Sequence, residues 1–431
     1  MQLALILIMA GASSGAAFAG GNETFEDLSS LVKTALANNP GLKSSVADWK
    51  MNTAVIAQVS SYDDPMLMLD IDEATTKYPL DFQKIEKTKQ VVGISQQIPY
   101  FGKLDLKGQA AAKQAESMQW MIDITKLELI RGVKDTYYQI YYTDKSLEIV
   151  NKNIRVLDDI ITIAGIKYSV GQGMQQDIIL AQVDRSKLLE TKVILEQQRK
   201  SQEAALNALL YRRADTPVGR IPDFDVKPLA MTADDVRNYC WENNPKIKQL
   251  KADIAKAEVQ LKLAHKEYYP DFNVFFDWGI RYALPPGTAS HTGSTVDVEG
   301  LNVYTAGVNI NIPIQLKRRA AAVEEAKANI MMTTEDLNNY MNGLDSAISD
   351  LLARLDKASK LVTLYKTGII PQAQQSLESS TSNYRVNNMA FQAVLEARRT
   401  LFDYEQKYYE NLAEYQKLVA LGDAVVGVPL Y

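Results

Sequence analysis

Two stretches of the chain alternate between apolar and polar residues, one residue at a time. Residues 271–282 read DFNVFFDWGIRY, and residues 303–312 read VYTAGVNINI. This period of two predicts strands with one apolar face and one polar face. A length of about ten residues suits a strand that crosses a membrane at a tilt, although a strand of a soluble sandwich alternates in the same way. Aromatic residues toward the strand ends favour the membrane interpretation.

Two further stretches, 65–73 and 90–98, carry a weaker form of the same pattern, because Gln96 interrupts their apolar face. The chain is therefore predicted to hold four strands, which are too few to close a barrel. In lipid, an open sheet edge leaves backbone N–H and C=O groups without partners. Either the strands lie outside a membrane, or several chains share one barrel. Three chains would supply twelve strands.

Most of the remaining sequence has the composition of α-helix. Residues 103–168 contain no proline, and residues 317–383 contain only Pro371. At about 1.5 Å per residue, each stretch predicts a helix roughly 100 Å long.

Each long helical stretch is followed by a shorter one, so the sequence predicts two helical hairpins, at 103–211 and 317–421. In the second returning helix, apolar residues recur at heptad spacing, with polar interruptions at Arg398 and Glu405. This spacing predicts antiparallel coiled-coil packing.

The order of elements occurs twice. ANNPGLKS at 37–44 returns as ENNPKIKQ at 242–249, and Pro65 aligns with Pro270 at the same offset of 205. Asn is a good N-cap and Pro suits the first helical turn, so each NNP is predicted to end one helix and begin another.

The alignment continues through both halves. VVGISQQIP aligns with TAGVNINIP at an offset of 214, which places Lys103 on Lys317, and YSVGQG aligns with YRVNNM at an offset of 216. Such a period is far too long for a solenoid unit. The predicted division is a signal peptide at 1–19, a first half at 20–211, a linker segment at 212–231, a second half at 232–421 and a C-terminal tail at 422–431.

Charge and motif content exclude several functional classes. The net charge is −5 without a basic block, so nucleic acid is not an expected partner. Cys240 is the single cysteine and is expected to be a buried apolar side chain, and His265 and His291 lie far apart. No hydrolase, zinc-protease or phosphate-loop motif is present. We therefore predict no enzymatic activity and no catalytic, metal or cofactor site.

The first residues resemble an export signal. An apolar run, Leu3–Ala10, leads into small residues that end in Ala17, Phe18 and Ala19, an A-x-A cleavage pattern. No Lys or Arg precedes the run, which leaves open whether Met1 is the true start. Beyond it, no apolar run reaches the roughly 18 residues of a spanning helix, so we expect an exported protein without a helical anchor.

Three stretches resemble the TolC family of outer-membrane efflux proteins: QQIPYFGKLDLKG (96–108), YSVGQG (168–173) and YRVNNMAFQAVLEARRTL (384–401). The resemblance implies a mainly α protein with a transmembrane β part. It implies a homotrimer whose twelve-stranded barrel lies in outer-membrane lipid and continues into a long periplasmic α-helical barrel. The linker would lie in an equatorial belt, and loops 73–90 and 283–302 would face outside.

The resemblance also implies a function. Such a protein is a passive exit duct of a tripartite efflux system, joined to a periplasmic adaptor (membrane fusion protein) and driven by an inner-membrane pump of the RND type or similar. The alternative is an exported coiled-coil scaffold or adaptor with a small soluble β domain. The cargo is not identified: Met66 and Met68 are interpreted as packing residues rather than metal ligands.

Two sets of candidate residues follow from the resemblance. The adaptor-docking candidates lie in the hairpin turns, where Gln172 and Asn387 replace the family's Leu and Gly. They are Tyr168, Val170, Gly171, Tyr384, Val386 and Asn387. The family's lumen-facing acids would fall on Ala393 and Glu396, and Asp177 is the repeat counterpart of Ala393. Asp177 and Glu396 are therefore the candidate pore-gate residues, with solvated helix carboxylates as the alternative.

Overall fold

The computed structural model describes residues 26–74, 76, 82, 88–226, 232–283 and 301–427. The predicted signal peptide at 1–19 lies outside the described residues. So do His291, most of loops 73–90 and 283–302, residues 227–231 of the linker segment, and residues 428–431 of the tail.

The described residues form helices and strands in an order that repeats. The first half contains α1 (Leu28–Asn38), α2 (Pro40–Ser60), β1 (Met66–Asp72), β2 (Lys89–Ile98), α3 (Lys103–Ser169) and α4 (Gln175–Leu209). The second half contains α5 (Ala233–Asn243), α6 (Pro245–Lys266), β3 (Phe272–Ile280), β4 (Val303–Ile310), α7 (Leu316–Leu364), α8 (Ile370–Arg385) and α9 (Phe391–Val426). None of the helices in the described ranges has the length and apolar character needed to span a membrane.

The repeated NNP works as predicted, as a helix stop followed by a helix start. The Asn39 side chain accepts hydrogen bonds from the amides of Gly41 (2.8 Å) and Leu42 (3.2 Å). The Asn244 side chain likewise accepts from Lys246 (2.8 Å) and Ile247 (3.1 Å). Proline follows each asparagine in the first turn, where its missing N–H would be unpaired anyway.

The second long helix departs from the prediction. A π-helical turn at Tyr365–Ile369 separates α7 from α8, and the Ile370 amide donates to the Tyr365 carbonyl five residues back. Pro371 explains the position of this turn. Proline has no N–H, and its ring would clash with the carbonyl of Thr367 in a regular helix. The wider turn inserts one residue and relieves that clash.

The chain divides into two compact units. The first contains the residues up to Ala37 together with Gly132–Lys227 and Ala358–Lys417. The second contains Asn38–Arg131, Pro228–Lys357 and the residues from Leu418. Each unit draws on both halves of the sequence, because the long helices contribute residues to both. The sequence repeat is therefore not a unit of packing.

In the first unit, α3, α4, α8 and α9 pack through a shared apolar cluster. Its buried members are Val150, Ile154, Leu157, Ile160, Ala164, Ala181, Leu188, Tyr384, Phe391, Val394 and Leu395. Val394, Leu401 and Tyr415 of α9, which are separated by multiples of seven residues, are buried, and Tyr408 of the same series is half-buried.

In the second unit, Cys240 is fully buried beside Val236, Ile247 and Ile348. Its thiol donates to the Val425 carbonyl at 3.2 Å, and burial raises the pKa of Cys240 to about 11. It is a packing residue, as expected.

The second unit also holds one antiparallel sheet with strand order β1-β2-β3-β4. One row across it joins Leu67 to Ile94, Ile94 to Phe276, and Phe276 to Ala306. Within the described residues, the outer edges of β1 and β4 carry no strand partner.

The two faces of this sheet differ in polarity. The apolar face leaves its side chains 41–73% exposed at Leu67, Leu69, Val92, Ile94, Val274, Phe276, Trp278, Tyr304, Val308 and Ile310. The opposite face carries small and polar residues such as Gly93, Asp277 and Thr305. Gly307 lies under the Phe275 ring, where a Cβ would stand 2.6 Å from the ring's Cζ. The predicted alternation is present in β3 and β4 and, apart from Gln96, in β2. In β1 it begins only at Leu69, because Met66 and Met68 lie on the opposite face.

Candidate functional site: the paired hairpin turns

The α3–α4 hairpin turns through a Schellman motif, a helix end closed by two backbone hydrogen bonds around a left-handed residue. Gly171 has φ +73°. The Gln172 amide donates to the Lys167 carbonyl (2.8 Å), and the Gly171 amide donates to the Tyr168 carbonyl (3.0 Å). Glycine fits because it has no Cβ to oppose positive φ.

The α8–α9 hairpin repeats the motif with asparagine in place of glycine. Asn387 has φ +65°. The Asn388 amide donates to the Asn383 carbonyl (2.9 Å), and the Asn387 amide donates to the Tyr384 carbonyl (3.2 Å). Asparagine tolerates this conformation better than most residues do, so the replacement of glycine leaves the turn intact.

Lys167 of the first hairpin clamps the second. Its buried amine donates to the carbonyl oxygens of Tyr384 (2.9 Å) and Arg385 (3.3 Å) and to the side-chain oxygen of Asn387. It also lies 4.9 Å from the centre of the Tyr384 ring. A cation at the carbonyl end of a helix is favourable. The sequence repeat gives no signal for this residue, because the counterpart of Lys167 is Asn383.

A second contact joins the hairpins through their side chains. The Tyr384 hydroxyl donates to Asp177 Oδ2 at 3.2 Å. Burial, reinforced by the charge of Asp177, raises the pKa of Tyr384 to about 12, so the hydroxyl keeps its proton at physiological pH. Tyr384 is 5% exposed, whereas its repeat counterpart Tyr168 is 49% exposed.

The two predicted gate residues lie in different settings. Asp177 belongs to the Tyr384 contact. Glu396 is exposed on α9, and across the described chain its carboxylate makes no hydrogen bond or ion pair. The pKa of Arg399 is raised mainly by its hydrogen bond to Asp184, and the charge of Glu396 adds to this effect. The structure therefore does not bring Glu396 into the contact between the hairpins.

The valines predicted for adaptor docking point outward. Val170 is 61% exposed and Val386 is 63% exposed, at equivalent positions of the two turns. Met174 and Ile166 beside them are also exposed. The paired turns thus present apolar side chains on a backbone that two Schellman motifs and Lys167 hold in place.

Comparison with known proteins connects these features to a family. The sequence profile of the family described as "Outer membrane efflux protein" matches residues 31–210 and 238–421. The chain belongs to the outer membrane efflux protein family. The efflux protein is thus an outer-membrane channel rather than an enzyme, as the resemblance implied. The two segments matched by the family profile correspond to the two halves of the repeat. The alternative of a scaffold or adaptor is set aside.

Relatives of the efflux protein are distant but cover most of it. The pyoverdine export outer membrane protein OpmQ of Pseudomonas aeruginosa is 20% identical over 419 residues, which span 93% of this chain and 85% of the relative. The outer membrane efflux protein BepC of Brucella suis is 20% identical over 393 residues, 90% of this chain and 82% of the relative.

Solved channel structures share the fold of the efflux protein. The outer membrane protein VceC of Vibrio cholerae superposes with a TM-score of 0.75 at 14% identity, covering 94% of this chain and 97% of that chain. The outer membrane channel MtrE of Neisseria gonorrhoeae superposes with a TM-score of 0.73 at 16% identity, covering 94% and 89%. The predicted TolC-like fold is confirmed.

Proposed function

We propose that this efflux protein works as a homotrimeric exit duct of a tripartite pump. Three copies share one barrel in the outer membrane, a periplasmic adaptor docks on the hairpin turns, and an inner-membrane pump supplies the energy. The tyrosine–aspartate contact between the hairpins holds the duct closed at rest.

The unfinished sheet is the observation that carries the proposal. Its two edges, β1 and β4, carry unpaired backbone groups within the described chain, and its apolar side chains are exposed. Lipid tolerates the apolar face but not the open edges. Because the strand number is even, the two edges run in opposite directions, so β4 of one copy can pair antiparallel with β1 of the next.

The helical part supports the same assembly. On α4, five large apolar side chains lie exposed along the helix, although monomeric surfaces rarely collect such groups. They are Ile179, Val183, Leu189, Val193 and Ile194. A second copy packed against α4 would cover them.

The proposal is tested by fractionation and mass. Expressed with its export signal in a Gram-negative host, the protein should remain in the outer-membrane fraction after a salt and carbonate wash, and it should require detergent for release. Light scattering of the purified complex should then give three chain masses of 48.1 kDa each, less the cleaved signal. A monomer that is released by the wash alone contradicts the duct.

A further inference from the structure

The two β-hairpins of the sheet share one hydrogen-bond register. The β1–β2 ladder pairs Leu67 with Ile94, and the β3–β4 ladder pairs Val274 with Val308. The second pair is the first pair displaced by 207 residues on the first strand of each hairpin (β1 to β3) and by 214 residues on the second strand (β2 to β4). The ladders fix the sum of the two offsets, and the alignment of VVGISQQIP with TAGVNINIP sets the offset from β2 to β4 at 214. Together they set the offset from β1 to β3 at 207.

This equivalence corrects the sequence alignment by two residues at β1. Aligning Pro65 with Pro270 uses an offset of 205, whereas the ladders and the β2–β4 alignment together require 207. The corrected offset places Tyr62 on Tyr269 and Asp64 on Asp271, so identical residues coincide at the base of the two strands.

At the β2–β3 boundary inside the chain, these base residues form a buried contact. Lys103 is 2% exposed, and its amine donates to Asp271 Oδ1 (2.9 Å), Asp271 Oδ2 (3.1 Å) and the Tyr269 carbonyl (3.2 Å). The Tyr100 amide also donates to Asp271 Oδ1 (2.8 Å), and the rings of Tyr100 and Tyr269 stack 4.5 Å apart. The base of β2 is therefore held firmly against the base of β3.

The equivalent residues at the sheet edges lack this contact. Lys317 corresponds to Lys103, and Asp64 corresponds to Asp271. Both side chains are exposed, and among the described residues neither takes part in an ion pair or side-chain hydrogen bond. Lys317 follows the outer strand β4 and Asp64 precedes the outer strand β1. In a single chain these two residues therefore lie at opposite edges of the sheet, whereas Lys103 and Asp271 meet inside it.

We propose that the seam between copies repeats the β2–β3 boundary: Ile310 of one copy lies opposite Leu67 of the next, and Lys317 binds Asp64. This register rests on the proposed trimer and follows from the observed pairs. The observed β2–β3 pair Gln96–Val274 corresponds to the pair Ile310–Leu67 at the seam. The observed pair Ile94–Phe276 corresponds to Val308–Leu69.

The proposed register closes a barrel of ordinary shape. A row perpendicular to the strands passes from Leu67 through Ile94, Phe276 and Ala306. It then reaches Ile71 of the next copy, four residues further along β1. Over three copies the shear is about 12 residues, and with about 3.3 Å per residue and about 4.8 Å between strands the tilt is about 35°, within the range of membrane barrels. The row stays apolar across the seam.

Cysteine pairs test the register. With Cys240→Ala as background, the pair Leu67→Cys and Ile310→Cys should oxidise to covalent dimers and trimers on a denaturing gel. Directly opposed Cβ atoms lie about 5 Å apart, near the reach of a disulfide, whereas diagonal neighbours lie about 7–8 Å apart. Two displaced pairs serve as controls, Leu67→Cys with Val308→Cys and Leu67→Cys with Ile312→Cys, and both should link at least tenfold less.

The outcomes separate the seam from the trimer. A displaced pair that links as well as, or better than, the Leu67–Ile310 pair overturns the register and leaves the trimer standing. Monomers in detergent, with no link from any pair, overturn both. For the base contact, Lys317→Glu should lower the temperature at which the trimer dissociates in SDS, and adding Asp64→Lys should restore it. Failure of that rescue, with the trimer otherwise intact, overturns the Lys317–Asp64 contact.

Discussion

Single residues make the two halves of this duplicated chain differ where they turn. Tyr168 and Tyr384 occupy equivalent positions, yet only Tyr384 is buried and bonded to Asp177. Ala393, the repeat counterpart of Asp177, offers Tyr168 no acceptor, and Lys167 bonds to the end of α8 only. Two residues without equivalents in the other half, Lys167 and Asp177, thus make one of two equivalent tyrosines a link between the hairpins.

We expect Tyr384→Phe to raise the conductance of the isolated trimer in a planar bilayer. The variant keeps the buried ring and removes only the hydrogen bond to Asp177, which contributes about 1 kcal/mol to the closed state. That loss shifts each copy about fivefold toward opening.

Tyr168→Phe is the matched control, since it removes the exposed hydroxyl of the equivalent tyrosine and should leave the conductance unchanged. Equal conductance of both variants and the parent protein would argue against a gate at this contact. Glu396→Ala, measured beside them, tests the second candidate: an unchanged conductance and cation selectivity would remove Glu396 from the gate.

At the scale of helices, the polar residues that interrupt the heptads of α9 are paired across the bundle. Buried Arg398 donates to Asp184 Oδ2 (3.2 Å), and Arg399 donates to both oxygens of the same carboxylate (2.9 and 2.7 Å). Glu405 accepts from Lys152 at 2.7 Å. These pairs link α9 to α4 and to α3 and favour one alignment of the helices, as buried polar groups do in other coiled coils.

The Asp184 cluster predicts a stability loss in acid. Burial acts to raise the pKa of Asp184, but hydrogen bonds from Arg399 and the charges of both arginines outweigh it and lower the pKa below 3.8. Because the pKa of Asp184 is lower in the folded state than in the unfolded state, the ionised carboxylate stabilises the fold at pH values above its unfolded-state pKa. That stabilisation is lost as the pH falls through the folded-state pKa.

Asp184→Asn should therefore cost about 3 kcal/mol at pH 7, because it leaves the arginines without their anion. The difference in unfolding free energy between parent and variant, followed by circular dichroism in urea, should shrink below about pH 4. Asp158→Asn is a suitable control because Asp158 pairs with Arg185 at an exposed site. A pH-independent difference for Asp184→Asn would contradict the assigned titration.

How far the sequence predicts these elements depends on how local their causes are. The strands, the NNP caps and the heptad core follow from short-range periodicity and capping chemistry, and all are present. The Lys167 and Asp184 contacts join residues more than two hundred positions apart. Neither contact has an equivalent in the other half of the chain, so no sequence pattern predicts them. The π-turn did have a local signal in Pro371, which the long helical pattern outweighed.

At the scale of the whole molecule, the duplication sets what each copy can offer its neighbours and partners. Each copy presents two hairpin turns with the same backbone motif and an exposed valine at the same position. Three copies would therefore present six nearly equivalent turns. An adaptor that recognises one turn could bind at all six, and weak contacts would add up through multivalency.

We expect the double variant Val170→Asp, Val386→Asp to abolish capture of the cognate periplasmic adaptor. Burying two carboxylates per copy in an apolar contact costs hydration free energy. Because six turns would bind together, the loss of adaptor affinity is multiplied. Binding of the purified trimer to immobilised adaptor should fall at least a hundredfold, and each single variant should retain part of it. Met331→Asp places the same charge at an exposed apolar site on α7, away from the turns, and should bind normally. Trimer mass is checked for every variant, and undiminished binding by the trimeric double variant would move the docking surface away from the hairpin turns.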